Sequence, residues 1–281
     1  MKAVLFAYHE VGAAALDAML RNKIDVVAVF THRDDPSEGG WFRSVAMAAA
    51  KHGIPVHAPD DINHPIWIER VRDMGPDVLV SAHYRKMIGS DMLDVCPNHC
   101  YNIHASMLPK YRGRCPINWA LVNGETETGV TLHHMTVAAD AGDIVAQQSV
   151  VIDDDDTAAS LTARIVEATG SMLDTSLPLL VSGTATRTAQ DSSAATTFPG
   201  RCPEDGCIDW SDDAATIHNL VRAVAHPWPG AFTFAGERKV LVWESTVVPG
   251  ASEVAEGTVL SLSPLTVACG KDAIQIDAGQ A

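Results

Sequence analysis

Short apolar runs alternate with helical patterns through the first part of the chain. Strand-like apolar runs occur at residues 2–8, 25–31 and 77–82, and residues 99–105 would form a further strand. Continuous apolar runs of this length predict strands that are buried on both faces of a parallel sheet. Helical patterns lie between them at residues 11–22, 42–52 and 64–73. This alternation predicts a Rossmann-like, doubly wound, mainly parallel α/β sheet.

The middle of the chain predicts a hairpin followed by a long helix. Residues 128–136 and 144–152 have strand patterns, and a turn of small and acidic residues from Ala138 to Asp143 joins them. A helical pattern then extends from about Thr157 to Leu180, and the acidic residues ahead of it suit the positive end of a helix dipole.

A stretch rich in Ser, Thr and Ala, residues 182–200, has few apolar anchors and predicts a surface connection. We therefore expect a catalytic domain at residues 1–190 and a C-terminal domain at residues 200–281. The C-terminal segment predicts a helix at about 212–225 and short strands near 231–235, 239–245, 257–262 and 265–269. These lengths predict a smaller, mainly β, OB-like domain.

Composition and charge narrow the class of partner. The chain of 281 residues has a formal net charge of −15, which repels polyanions, so we expect no nucleic-acid partner. A small anionic ligand stays compatible with this charge, because one or two Arg side chains at a pocket outweigh the distant, screened negative charge of the rest of the chain.

No apolar stretch is long enough to insert into a membrane, and the N-terminal run is too short for a signal peptide. Six Cys without an export signal are expected to be reduced, which predicts a cytoplasmic protein.

The side chains that carry chemistry concentrate between Asn102 and Arg114. Alternate side chains of a strand share a face, so Asn102 and His104 should point the same way while Ile103 packs on the other side. The carboxyl end of a strand is where open α/β sheets bind ligands. The loop Leu-Pro-Lys-Tyr-Arg-Gly-Arg that follows adds two guanidinium groups. We therefore expect a ligand site at this strand end.

An amide donor beside an imidazole suits acyl transfer, because the tetrahedral intermediate needs a donor for its oxyanion and a group that moves protons. Asn102 would be the donor and His104 the proton-transfer group. A carboxylate commonly sets the tautomer and charge of such a histidine. Asp140, in the predicted turn, is the first candidate for that carboxylate, and Asp143 is its nearest rival.

Cys96, His99 and Cys100 lie close to His104 in sequence, as zinc ligands often do. However, Pro97 interrupts the run, no second Cys-x-x-Cys pair exists, and neighbouring residues of a strand face opposite sides. We therefore expect no bound metal.

Two further sequence patterns argue against a nicotinamide cofactor and against a site that uses both His133 and His134. The segment after the first strand has only Gly12, so the three-glycine dinucleotide fingerprint is missing and a nicotinamide cofactor is not expected. His133 and His134 are adjacent in a predicted strand and must point to opposite faces. They cannot both serve one site, so at least one is expected to be structural.

The chain contains Asn-x-His-x-Ser-x-Leu-Pro from Asn102 to Pro109 and an Asp-x-Gly turn at Asp140. This combination resembles the 10-formyltetrahydrofolate-dependent formyltransferases. The likeness covers nearly the whole chain and is strongest to the formyltransferase domain of the bifunctional enzyme that modifies lipid A with aminoarabinose and confers polymyxin resistance. The segments that carry it are FAYHEVG, PDDINHP, LPKYRGR, VNGETETGVTLH, DAGDIVAQ and VRAVAHPWPGAF.

The resemblance implies a role for each residue of the motif. Asn102 would stabilise the transition state, His104 would transfer the proton, and Asp140 would raise the pKa of His104. The co-substrate would be 10-formyltetrahydrofolate, without a metal. Its contacts would fall on Lys86, Met87, Ile88, Arg114, Thr136, Val137, Ala138, Ala139 and Asp140. The segments 86–88 and 82–84 differ from the His-Leu-Ile and Phe-Tyr-Tyr that are usual in the domain it resembles.

The resemblance implies an N-formyltransferase of lipopolysaccharide biosynthesis. It would transfer the formyl group to the 4-amine of a nucleotide-linked amino sugar, with UDP-4-amino-4-deoxy-L-arabinose as the first candidate. A formyltransferase for another nucleotide-linked amino sugar, a methionyl-tRNA formyltransferase and a non-catalytic nucleotide-binding module are the alternatives. Acidic residues outnumber basic ones in residues 200–281, which favours a sugar over a tRNA. The oligomeric state stays open.

Overall fold

The computed structural model describes residues 1–34, 42–250 and 254–280. In chain order, the strands are β1 (Lys2–Ala7), β2 (Asp25–Phe30), β3 (Val56–His57), β4 (Val78–Ala82), β5 (Cys100–His104), β6 (Arg112–Gly113), β7 (Glu127–His134), β8 (Ile144–Val151), β9 (Thr197–Phe198), β10 (Ala231–Ala235), β11 (Arg238–Val248), β12 (Val259–Leu262), β13 (Leu265–Ala268) and β14 (Ala273–Gln280). The helices are α1 (His9–Arg21), α2 (Val45–Lys51), α3 (Pro65–Met74), α4 (Ser90–Leu93), α5 (Pro116–Val122), α6 (Ala158–Ser182) and α7 (Ala214–Val224).

The chain forms two compact units, and each unit is assembled from separate stretches of sequence. The first unit comprises residues 1–113, 129–150 and 164–197, and the second comprises residues 114–128, 151–163 and 198–281. The domain limits expected from the sequence, 1–190 and 200–281, stay a prediction.

The first unit is built on a mainly parallel sheet. Among the described residues this sheet has seven strands, in the order β3-β2-β1-β4-β5-β7-β8. The pairs β1–β2, β1–β4, β2–β3 and β4–β5 are parallel, whereas β5 and β7 are antiparallel. The strand order reverses between β1 and β4, as in other doubly wound sheets. The predicted Rossmann-like fold is confirmed, and so is the predicted hairpin, because β7 and β8 are neighbours in the sheet.

One face of the sheet packs into an apolar core. Its buried members include side chains from β1, β2 and β4 together with residues of α3 and α4. They are Val4, Phe6, Ala28, Phe30, Ile62, Ile68, Val71, Leu79, Ile88, Met92, Cys96 and Cys100. The apolar runs predicted from the sequence thus become strands without a solvent-facing side, which is typical of parallel sheets covered by helices.

Local sequence signals fix the limits of α3. Pro65 occupies its first turn, where the missing N–H costs no hydrogen bond, and the His64 ring nitrogen accepts from the backbone N–H of Ile66. At the other end Gly75 has φ +61°, the left-handed conformation that commonly stops a helix. The helix predicted at residues 64–73 is therefore confirmed.

The second unit contains a separate antiparallel sheet. In the part of the chain that the structure describes, its strands follow the order β10-β11-β14-β13-β12, and all the pairs between them are antiparallel. In the same unit α5 and α7 are linked by a hydrogen bond of 2.7 Å from the Asn118 amide to the Ala223 carbonyl oxygen. The predicted β-rich C-terminal fold is confirmed.

The apolar pattern of the sequence did not predict β14, which lies between β11 and β13. Its sequence, AIQIDAGQ, has a polar residue or glycine at four of the last six positions. Such a pattern lacks the apolar run used to find the other strands. The strand forms because its backbone is paired on both sides, by β11 and by β13. Among the helices of the described residues, none is long and apolar enough to span a bilayer.

Leu79 provides a test of the core of the first unit. It is fully buried in β4, so Leu79→Ala should lower the free energy of unfolding by about 2–5 kcal/mol through lost burial and a residual cavity. Urea denaturation measures the change. Leu179→Ala is the matched control in the same unit, because that side chain is 47% exposed and should cost less than about 1 kcal/mol. Equal losses in the two variants would contradict this description of the core.

Candidate functional site

The carboxyl end of β5 presents two polar side chains on one face. Asn102 and His104 both contact Asp140, whereas Ile103 between them is buried in the opposite direction. His104 is itself only 6% exposed. The alternation expected from the sequence is therefore present, and it brings the predicted amide and imidazole to the same carboxylate.

Asp140 lies at the centre of this cluster. Its Oδ1 accepts a hydrogen bond of 3.3 Å from the Asn102 amide and lies 3.6 Å from Nδ1 of His104. Its Oδ2 accepts a bond of 2.9 Å from the backbone N–H of Gly113. The rival carboxylate, Asp143, instead forms an ion pair of 2.6 Å with Arg187. Of the two predicted candidates, Asp140 is the one beside His104.

The turn that carries Asp140 is held from several sides. Asp140 has φ +52°, a left-handed conformation that an Asp tolerates better than most residues. A Cβ atom at Gly142 would collide with the His134 carbonyl oxygen, so the Asp-x-Gly pattern needs its glycine. The Gln190 amide donates to the carbonyl oxygens of Asp140 and Gly142, at 2.8 and 2.6 Å.

Arg112, one of the two guanidinium groups noticed in the loop, supports this turn indirectly. It donates two hydrogen bonds to Oε1 of Gln190, at 3.1 and 2.7 Å. Gln190 lies in the exposed segment that the sequence analysis treated only as a surface connection. This segment therefore also contributes to the position of Asp140, which its composition gave no reason to expect.

The hydrogen bonds of His104 define its tautomer. Nε2 lies 2.7 Å from the Tyr111 carbonyl oxygen, which can only accept, so Nε2 carries the proton. Nδ1 then faces Asp140. Burial lowers the pKa of His104 below its ordinary value, and the charge of Asp140 and the bond to Tyr111 only partly offset that effect. His104 is therefore neutral at pH 7, with its lone pair at Nδ1.

The pKa of Asp140 is held well below its ordinary value. Burial would raise it, but the positive charge that His104 or His133 can carry and the Gly113 N–H together outweigh burial. The carboxylate is therefore ionised, and it favours a positive charge on the neighbouring imidazole.

His133 is a member of the cluster that the sequence analysis missed. Its Nδ1–H donates to the His134 carbonyl oxygen at 2.9 Å, so its Nε2 accepts a bond of 3.1 Å from the Asn102 amide. The same Nε2 lies 3.5 Å from Oδ1 of Asp140. His134 instead packs its ring 4.8 Å from that of Tyr101. The register that pairs Asn102 with His133 explains the contact, and this register cannot be read from either strand alone.

The Ser-x-Leu-Pro part of the motif stabilises the loop after β5. Ser106 is fully buried, and its hydroxyl donates to the Lys110 carbonyl oxygen at 2.7 Å. Thr131 in β7 donates to the Ser106 carbonyl oxygen and accepts from the backbone N–H of Leu108. These bonds fix the path of the chain from His104 to Tyr111, whose carbonyl oxygen sets the tautomer of His104.

The predicted folate contacts at residues 86–88 have different environments. The Lys86 ammonium group donates to the carbonyl oxygens of Pro59 and Asp60. Ile88 is buried in the core cluster, against which Met135 also packs. Met87, by contrast, is 58% exposed. Of the three side chains, Met87 is the one most open to a ligand.

The predicted contacts at residues 136–139 form an exposed segment directly before Asp140. The Thr136 hydroxyl donates to the Ala138 carbonyl oxygen at 2.8 Å, and Val137 is 68% exposed. Ala138 and Ala139 are exposed as well. Arg114 belongs to the second unit, where its backbone N–H donates to the Phe198 carbonyl oxygen and its guanidinium lies against Gly200.

The thiols near β5 have hydrogen-bond acceptors of their own. Cys96 donates to the Pro76 carbonyl oxygen, and Cys100 donates to those of Leu93 and Cys96. Within residues 1–34, 42–250 and 254–280, no group of three or more His, Cys, Asp or Glu side chains is arranged to hold a metal ion.

Solved structures of sugar formyltransferases are similar in fold. WlaRD, a sugar 3N-formyl transferase in the presence of dTDP and 5-N-formyl-THF, is 19% identical, with 98% of this chain and 97% of that chain covered and a TM-score of 0.76. The N-formyltransferase from Helicobacter canadensis in complex with folinic acid and dTDP-3-aminofucose is 19% identical, with coverages of 98% and 99% and a TM-score of 0.77. A likely sugar N-formyltransferase from Mycobacterium tuberculosis is 19% identical, with coverages of 86% and 95% and a TM-score of 0.66.

Two family models match the sequence directly. The model described as "Formyl transferase" matches residues 1–177, which include the whole cluster around Asp140. The model described as "Formyl transferase, C-terminal domain" matches residues 202–281. The first match covers more than half of the chain and contains its polar cluster, and the chain therefore belongs to the formyl transferase family.

Proposed function

We propose that the protein transfers a formyl group from 10-formyltetrahydrofolate to the 4-amine of a nucleotide-linked amino sugar, with UDP-4-amino-4-deoxy-L-arabinose as the first candidate. The observation that carries the proposal is the contact of one ionised carboxylate, Asp140, with both Asn102 and His104. A neutral imidazole beside a buried carboxylate suits a step in which a proton leaves an attacking amine.

The ligands of the similar structures support both substrates of this reaction. One relative was solved with dTDP and 5-N-formyl-THF, and another with folinic acid and dTDP-3-aminofucose. A formylated folate and a nucleotide-linked amino sugar are the two reactants that the proposal needs.

In the proposed reaction the neutral sugar amine attacks the formyl carbon. A C–N bond forms to the sugar, and the bond from the formyl carbon to N10 of the folate breaks. Nδ1 of His104 takes the proton that the amine loses, and Asp140 stabilises the resulting imidazolium. The electron pair of the broken bond goes to N10, which receives the proton from His104. Tetrahydrofolate and the formamide are the products.

Asn102 would donate a hydrogen bond to the oxyanion of the tetrahedral intermediate. In the free site its amide donates to His133 at 3.1 Å and to Asp140 at 3.3 Å. The oxyanion would replace Asp140 as the acceptor of the longer hydrogen bond. The other amide hydrogen stays bonded to Nε2 of His133. His133 is thus a positioning residue for Asn102.

We assign the folate contacts to Lys86, Met87, Ile88, Arg114 and residues 136–140, as the family resemblance implies. The exposed Met87 and Val137 offer apolar surface to a planar ring, whereas Lys86 and Ile88 support the segment from within.

We further propose that the protein works in the cytoplasm, in the modification of lipid A that confers polymyxin resistance. Its catalytic domain would comprise residues 1–190 and its C-terminal domain residues 200–281.

The test of the reaction is an assay of purified protein with 10-formyltetrahydrofolate and a panel of UDP-, dTDP- and GDP-linked 4-amino sugars. Mass spectrometry should detect the gain of one formyl group, with the highest rate for UDP-4-amino-4-deoxy-L-arabinose. Asn102→Ala should lower kcat by about 10²- to 10³-fold, since one oxyanion donor is lost. His104→Ala should lower it by about 10²- to 10⁴-fold, since the proton-transfer group is lost.

Asp143→Asn is the matched control, because this carboxylate lies in the same turn but pairs with Arg187. It should retain most of the activity, and circular dichroism should show that all the variants are folded. A His104→Ala protein with a normal rate would contradict the proposed chemistry. If the protein formylates methionyl-tRNA but no sugar in the panel, the proposed sugar acceptor is wrong and methionyl-tRNA takes its place.

The pH dependence of the rate tests the role of Asp140. The pKa of His104 is lowered, so its neutral form persists below pH 6.5, and kcat should fall only as the pH drops through that lowered value. Asp140→Asn removes a charge that raises the pKa of His104, so the acid limb should move to still lower pH while the maximal rate falls. The amine of the substrate is the same in both proteins and cannot produce the shift. An acid limb that does not move in Asp140→Asn would contradict the assignment.

A further inference from the structure

A polar segment of the first unit, residues 187–196, contacts two separate parts of the chain that surround Asp140 and His104. We call this segment the strap. Its side chains are exposed or half-buried, and Ala is the only apolar residue type in it. Burial of apolar surface therefore contributes little to its position, and the strap is held by its hydrogen bonds and ion pairs.

The first part of the strap holds the turn that carries Asp140. Thr188 and Ile144 exchange two backbone hydrogen bonds, at 2.8 and 2.9 Å, at the point where the turn ends and β8 begins. The Arg187 guanidinium pairs with the Asp143 carboxylate at 2.6 Å. The turn is therefore tied to the strap through both backbone and side chains.

The other end of the strap holds the loop after β5. The Thr196 N–H donates to the Pro109 carbonyl oxygen at 3.3 Å, and the Thr196 carbonyl oxygen accepts from the Arg112 N–H at 2.9 Å. The Thr196 hydroxyl accepts from the Tyr111 N–H at 2.9 Å. Because the Tyr111 carbonyl oxygen faces Nε2 of His104, this end of the strap fixes the residue that sets the tautomer of His104.

Gln190 connects the turn and the loop through a single side chain. Its amide nitrogen donates to the carbonyl oxygens of Asp140 and Gly142, at 2.8 and 2.6 Å. Its Oε1 accepts two hydrogen bonds from the Arg112 guanidinium, at 3.1 and 2.7 Å. Both amide hydrogens and both lone pairs of the oxygen are thus used. The side chain cannot rotate without breaking several of these bonds, so it fixes the spacing between the turn and the loop.

We infer that Gln190 is a positioning residue for formyl transfer, which acts through the strap by setting the position of Asp140 relative to His104. This inference rests on the proposed function, because Asp140 and His104 carry the proton transfer of that reaction. Oδ1 of Asp140 lies 3.6 Å from Nδ1 of His104, and their interaction weakens as that distance grows. Arg112 acts through Gln190, because its guanidinium holds the oxygen of the amide whose nitrogen holds the turn.

Gln190→Leu tests the inference, because leucine has a similar size but forms none of the four hydrogen bonds. The kcat of formyl transfer should fall about 10- to 100-fold, as expected when a catalytic group is displaced. In nitrogen-15 NMR of the full chain without substrate, the pKa of His104 should fall below its wild-type value, since the charge of Asp140 raises that pKa. A merely structural role would lower the unfolding temperature and leave the pKa of His104 unchanged.

Arg112→Lys is a milder variant that keeps the positive charge but cannot donate to Gln190 from two nitrogens. It should change kcat and the pKa of His104 in the same direction by a smaller amount, and it carries the test if Gln190→Leu does not fold. In the double variant, Arg112→Lys should add nothing to the effect of Gln190→Leu, because Arg112 acts through Gln190. Additive effects would contradict that order of action.

Ser193→Ala is the matched control in the strap, because the Ser193 hydroxyl donates to the Asp191 carboxylate within the strap, at 2.6 Å. It should keep the wild-type kcat and the wild-type pKa of His104. Asp140, His133 and His83 interact electrostatically with His104, and all three are unchanged in the variants. A shift in the pKa of His104 therefore reports a change in position rather than the loss of one of these groups.

The inference is overturned if Gln190→Leu keeps the wild-type kcat or the wild-type pKa of His104, or if Ser193→Ala loses as much activity. Active wild-type protein with an equally active Gln190→Leu variant would leave the proposed reaction standing. Because the NMR measurement needs no formyl transfer, a pKa of His104 that depends on Gln190 in a protein that formylates no sugar would overturn the proposed reaction and leave the positioning role of Gln190 standing.

Discussion

The site depends on one buried carboxylate. Asp140 is only 12% exposed, and an ionised group in that position is stable only when donors and positive charge surround it. The Gly113 N–H and the Asn102 amide donate to the carboxylate, and the imidazoles of His104 and His133 lie 3.6 and 3.5 Å from it, where either could carry a positive charge once protonated. The contacts of the Asp140 carboxylate also orient the Asn102 amide and the His104 imidazole. The fold therefore meets two requirements, a stable charge and correctly placed polar groups, with the same set of contacts.

Much of the surrounding fold serves to place that carboxylate. β5 presents Asn102 and His104, its antiparallel neighbour β7 presents His133, and the turn between β7 and β8 presents Asp140. The turn adopts a left-handed conformation and is tied to Gln190, which is in turn held by Arg112. A parallel sheet supplies the rigid strand end, and a single antiparallel neighbour brings the opposing residues to it.

The sequence predicted the features that depend on local pattern. Alternation in β5 gave the shared face of Asn102 and His104, and the Asp-x-Gly turn pointed to Asp140. His133 could not be predicted, because its contact with Asn102 depends on the register between two strands. Gln190 was missed because it lies in a polar, exposed segment without periodicity. β14 was missed for a related reason, since backbone pairing on both sides stabilises a strand with no apolar run.

The most direct measurement of the central claim is the protonation of the His104 ring, observed by nitrogen-15 NMR in wild-type protein and in Asp140→Asn. We predict a neutral ring at pH 7 with its proton on Nε2, since that atom faces the Tyr111 carbonyl oxygen. We also predict a pKa below 6.5 in the wild type that decreases further when the carboxylate is removed. A proton on Nδ1 at neutral pH, or a pKa that does not respond to loss of the Asp140 charge, would contradict the account.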